Sequence, residues 1–127
     1  MFKIDLAAII FRFNPDSPDK VEIGVFEDNY HRIMLPYVEW NPTTEMEILV
    51  RHLIRNHIVI DEKWLQVELM TILPGFENFV SIYWRTYIPD NLKVQGLDWI
   101  SYDQLELFSQ RIVRHDLKAL RYAYNRK

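Results

Sequence analysis

The chain has 127 residues, 49% of them hydrophobic, and a formal net charge of −3 with both signs interspersed. That size predicts one domain, residues 1–127, able to bury a core without metals or disulfides, and the charge argues against a broad footprint on a nucleic-acid backbone. With no cysteine, disulfide frameworks, thiol nucleophiles and Cys-based zinc sites are excluded, and a reducing, cytoplasmic setting is expected. No stretch reads as a signal peptide or a membrane span, so neither membrane nor nucleic acid is an expected partner.

Residues Lys3 to Phe13 carry the apolar run Ile4, Leu6, Ala7, Ala8, Ile9, Ile10, Phe11. It is too continuous for a one-sided surface strand and predicts a strand covered on both faces. The two prolines and the Asn, Asp and Ser side chains of Asn14-Pro15-Asp16-Ser17-Pro18-Asp19 predict a loop. A second strand is expected over Val21 to Phe26, a turn over Glu27 to Arg32, and a short apolar run Ile33-Met34-Leu35 that could close a hairpin before Pro36.

A loop containing Tyr37 and Trp40 then enters an amphipathic helix. Thr44 with Glu47 three positions later has the spacing of a capping box. Met46, Leu49, Val50, Leu53 and Ile54 recur at helical spacing and predict one buried stripe, leaving Arg51, His52, Arg55 and Asn56 on the other side. Glu47 and Arg51 form an i,i+4 pair in the favourable order, worth ~0.3 kcal/mol when exposed.

Beyond Asp61-Glu62-Lys63, strands are expected over Trp64 to Leu73 and Phe79 to Ile88, broken by Leu73-Pro74-Gly75-Phe76-Glu77-Asn78. Leu97 to Ile100 predicts a further short strand and Tyr102 to Leu107 one helical turn. Ser109 is placed to cap a final helix reaching about Tyr124, with Ile112, Val113, Leu117, Leu120 and Tyr124 turned inward.

This order of elements resembles the Nudix fold, an α/β/α sandwich with a mixed sheet and a C-terminal helix. The Nudix motif reads Gly, five residues, Glu, seven residues, then Arg-Glu-apolar-any-Glu-Glu-any-Gly-apolar. Laid on this chain without gaps, Tyr37 takes the first Gly, Thr43 the first Glu, Arg51 the Arg and Leu53 the apolar position. His52, Arg55 and Asn56 stand at the remaining glutamates and Ile58 at the last Gly. Downstream, Trp64 to Gly75, Val80 to Tyr87 and the segment Leu97 to Leu105 resemble the ADP-ribose branch of that family. That branch includes regulators of NAD metabolism whose Nudix domain senses a nucleotide.

Hydrolysis of a phosphoanhydride needs hard divalent cations held by carboxylate oxygens. The resemblance therefore implies a catalytically degenerate Nudix-like domain, with no catalytic residue and no metal ligand. A nucleotide-like, ADP-ribose-type ligand is expected to bind through Arg51, His52 and Arg55 by charge-assisted hydrogen bonds, with Trp40 and Tyr37 available to stack. The bland reading is a solvated helix face, with the two aromatics packing as core or lid. One alternative is a nucleoside diphosphate hydrolase that recruits magnesium through displaced carboxylates among Glu39, Glu45, Glu47 and Glu77; otherwise no cofactor is expected. Another is a scaffold or homodimer subunit that docks a protein partner, with the outward members of Tyr83, Trp84 and Tyr87 as a dimer surface. The four histidines lack metal-ligand spacing.

Overall fold

The computed structural model describes residues 3–14, 16–75 and 78–125. Pro15 of the expected first loop, and Phe76 and Glu77 of the later break, lie outside the described residues. The strands are β1 (Lys3–Asn14), β2 (Ser17–Glu27), β3 (Ile33–Met34), β4 (Tyr37–Glu39), β5 (Glu68–Pro74), β6 (Phe79–Pro89) and β7 (Asp98–Ser101). The helices are α1 (Met46–Arg55), α2 (Tyr102–Leu107) and α3 (Arg114–Asn125).

Strand β1 is the axis of the sheet, whose order is β3-β2-β1-β6-β5, with β4 added to β1 and β7 to β2. The β1–β6 pairing is parallel and the pairings of β2, β4 and β7 are antiparallel, so the sheet is mixed. Alternation along β1 sends Leu6, Ala8 and Ile10 into one core, shared with Val50 and Ile54 of α1. Ala7, Ile9 and Phe11 enter the other, shared with Leu105 of α2 and Ala119, Leu120 and Ala123 of α3. Every residue from Leu6 to Phe11 is buried, as the uninterrupted apolar run predicts for a strand between two helical layers.

Several local expectations are corrected. The strands run closer together than the Asn14–Asp19 loop suggests, with Asn14 opposite Ser17. Thr44 and Glu47 form no capping box; the α1 N-cap is Glu45, without a side-chain cap bond. Thr44 instead closes a turn on the Asn41 carbonyl and gives its own carbonyl to the Trp40 indole at 2.9 Å. A capping box does form at Ser101–Gln104, opening α2. The strand expected from Trp64 begins at Glu68, because the Asp61 carboxylate accepts the Lys63 N–H and bends Glu62–Trp64 into a single 3-10 turn. The final helix starts at Arg114, not Ser109. The backbone of 111–113 is engaged with Ile33, which donates to the Arg111 carbonyl and accepts from Val113 N–H, so the helical ladder begins only after that bridge.

Candidate functional site

Arg51, His52, Arg55 and Asn56 lie along the last turns of α1 and its C-cap, opposite the buried Val50 and Ile54. Geometry divides them. The Arg51 guanidinium donates to the Leu65 carbonyl at 2.7 Å and lies 3.6 Å from Glu47, so its charge is spent holding α1 against the following turn. His52 and Arg55 are exposed, as is Asn56. These three, with Ile58, Val59 and Ile60, line an open hollow of about 480 Å³ at the end of α1. Glu62 stands 3.6 Å from Arg55. His52 and Arg55 also complement the negative end of the α1 dipole.

The wall of the hollow is braced from behind. Ile58 is buried and bridges to Val94; Val59 N–H donates to the Lys93 carbonyl and Gln95 N–H to that of His57. The Gln95 side-chain amide reaches the Asn56 carbonyl at 3.3 Å. Gly96 sits at φ 75°, where a side chain would be strained, and a Cβ there would stand 3.3 Å from the His57 ring.

Trp40 and Tyr37 do not reach this hollow's lining. Trp40 is half-buried against the α1-side core, its N–H committed to Thr44. Tyr37 stacks on Phe26 with ring centroids 6.4 Å apart. The displaced carboxylates are scattered: Glu39 on β4 faces Lys3, Glu45 is the helix N-cap, Glu47 faces Arg51, and Glu77 lies outside the described residues. Among the described residues, no three His, Asp or Glu side chains converge in a way that could hold a metal ion.

A second polar cluster, on the opposite face, was not legible in the sequence. Asp116 in the first turn of α3 is buried; its two oxygens accept the Tyr83 hydroxyl at 2.7 Å and the Leu35 N–H at 3.1 Å. Burial pushes the Asp116 carboxyl above its usual range, opposed by those two bonds and by His115. Asp5, beside it on β1, is raised for the same first reason. Burial and Asp116 together raise the Tyr83 hydroxyl. Only an acidic residue near the helix start signals this cluster locally; its partners are 33 and 81 positions away.

Against known proteins, no protein-family model and no curated protein matches the sequence. Solved structures do. The NUDIX domain of Shewanella oneidensis NrtR, in a cocrystal with ADP ribose, superposes with a TM-score of 0.71 at 10% identity, over 99% of this chain and 88% of that one. The Caenorhabditis elegans Ap4A hydrolase gives 0.73 at 12% identity, over 98% of both chains. The chain has the Nudix fold. A MutT/nudix family protein from Enterococcus faecalis aligns with 80% of this chain at 12% identity and a TM-score of 0.63, and this chain spans only 44% of that protein's length. His52, Arg55 and Asn56, which the ungapped motif reading sets against the second to fourth glutamates, are among the residues lining the hollow. The Arg55 guanidinium brings positive charge to the hollow, which disfavours a divalent cation beside it.

Proposed function

We propose that this chain is a catalytically degenerate Nudix-like domain that binds a nucleotide-like, ADP-ribose-type ligand and leaves it uncleaved. The observation that carries the reading is the hollow at the end of α1, where His52, Arg55 and Asn56 present a cation and two hydrogen-bonding groups. An anionic diphosphate is attracted to Arg55 through charge-assisted bonds without a bridging metal. His52 and Asn56 add hydrogen bonds, and Val59 supplies an apolar wall. Arg51 serves as a brace for this surface, and Tyr37 and Trp40 shape the loop that leads into α1. The ADP ribose bound by the NrtR domain of the same fold supports this ligand class.

The fold also supports hydrolysis in other chains, as the Ap4A hydrolase indicates by name, so the test has two arms. Thermal melting with ADP-ribose is expected to shift upward, because a ligand bound only by the native state stabilises it. The shift should vanish in Arg55→Ala and weaken in His52→Ala, while both variants melt as the wild type does without ligand. Incubation with magnesium and the same compound should leave it intact. Turnover abolished by Glu39→Gln or Glu47→Gln would establish the hydrolase instead.

A further inference from the structure

We infer that Glu62 is a specificity-determining residue for the hollow at the end of α1: a built-in rival carboxylate that a bound anion must displace from Arg55. The inference rests on the anion-binding reading above and adds which anions that surface accepts. Glu62 stands 3.6 Å from the Arg55 guanidinium. That is an ion pair too long for a hydrogen bond, so it offsets the charge of Arg55 and leaves the guanidinium N–H donors open.

Other arginines of the chain are held differently. Arg12 donates to Glu22 at 3.0 and 2.8 Å, Arg85 to Glu68 at 3.0 Å, and Arg121 to the two oxygens of Glu106 at 3.1 and 3.0 Å. The Arg55 pair has no such bond. Its side chains are 43% and 60% exposed, and an exposed pair without ideal geometry is held only weakly against solvent.

The backbone beneath Glu62 is tied down. The Asp61 carboxylate accepts the Lys63 N–H at 3.1 Å, the Leu65 N–H donates to the Glu62 carbonyl at 3.1 Å, and the buried Leu65 gives its own carbonyl to Arg51. Displacement is therefore a rotation of the exposed side chain, which keeps the carboxylate within reach of Arg55 when the ligand leaves. A carboxylate ligand gains from Arg55 only what Glu62 already supplies. A diphosphate brings further oxygens that His52 and Asn56 can bond, so the rival favours multiply charged anions over simple carboxylates.

Titration calorimetry with inorganic pyrophosphate and with ADP-ribose tests this on Glu62→Gln, which keeps the shape of the side chain and removes its charge. Both dissociation constants are expected to fall about threefold, the scale of an exposed ion pair, and Glu62→Ala should do the same. Acetate at constant ionic strength should compete with pyrophosphate more strongly in Glu62→Gln than in the wild type. Glu106→Gln removes an equal charge from the distant pair with Arg121 and should change neither constant. An equal gain in Glu106→Gln would overturn the inference by reducing it to net charge. So would acetate competing equally in both proteins, or pyrophosphate bound no more tightly by Glu62→Gln than by the wild type, or by neither. Tighter pyrophosphate with no binding of ADP-ribose would overturn the ligand class proposed above and leave the role of Glu62 standing. ADP-ribose bound equally by wild type and variant would do the reverse.

Discussion

On the α3 face of the sheet, the polar side chains are closed in: Asp116 is 5% exposed and both of its oxygens are bonded, one to Tyr83 and one to the Leu35 backbone. On the α1 face, His52, Arg55 and Asn56 stand around an open hollow, with Glu62 3.6 Å from Arg55. Both sets sit near a helix end and both include charge. The difference is burial. A buried carboxylate must be satisfied internally or it costs the fold dearly, so Asp116 is committed to architecture. An exposed cation is satisfied by water and can exchange that water for a ligand.

Cutting the committed side has the largest consequence. Asp116→Ala leaves the Tyr83 hydroxyl and the Leu35 N–H buried without acceptors, and is expected to lower stability by about 3 kcal/mol, read as a shift of the urea midpoint at unchanged slope. Arg51 lies between the two regimes, because its charge is partly exposed while its acceptor, the Leu65 carbonyl, belongs to a buried residue. Arg51→Ala should cost about 1.5 kcal/mol in the same measurement. A loss as large as that of Asp116→Ala would erase the distinction between the faces.

The subtlest effect is one of shape. Burial lifts the Asp116 carboxyl above the value of about 4 that it has in the unfolded chain. The folded state therefore holds that proton more tightly. Its contribution to stability is fully present below pH ~4 and declines as pH rises through the folded value. Asp5 acts in the same direction, again through burial first. The exposed Glu27, held low first by its bond to His31, acts in the opposite direction. Those two remain in Asp116→Asn, where Asp5 loses only the smallest of its contributions, the Asp116 charge, so the difference between its stability profile and that of the wild type reports chiefly on Asp116. The variant should show a shallower decline as pH rises above ~4 in chemical denaturation. A parallel profile would mean that Asp116 does not titrate in that range.

Periodicity accounts for most of what could be read in advance. The uninterrupted run in β1 required two covering layers, and the 3.6-residue stripe of α1 required one buried face. Turn chemistry bracketed the elements. The same reading placed His52, Arg55 and Asn56 together, since positions on one helix face are neighbours wherever that helix packs. Boundaries failed where distant backbone intervened. Trp40 claimed the Thr44 carbonyl at the α1 entrance, and Ile33 held 111–113 out of the α3 helix.

The basic face of α1, with Arg51, His52 and Arg55 at helical spacing, was thus determined by the sequence itself, because helical spacing is a local property. Which of its cations remains available was decided only by tertiary structure. Arg51 and Arg55 differ by one helical turn and are equivalent in sequence, yet the Leu65 carbonyl, brought there by the turn after α1, engages one and leaves the other facing the hollow. The Asp116 cluster and the place of β5 at the end of the sheet order belong to the same category. Each depends on which strand lies beside which, a contact set by the packing of the whole chain and not by any stretch of it.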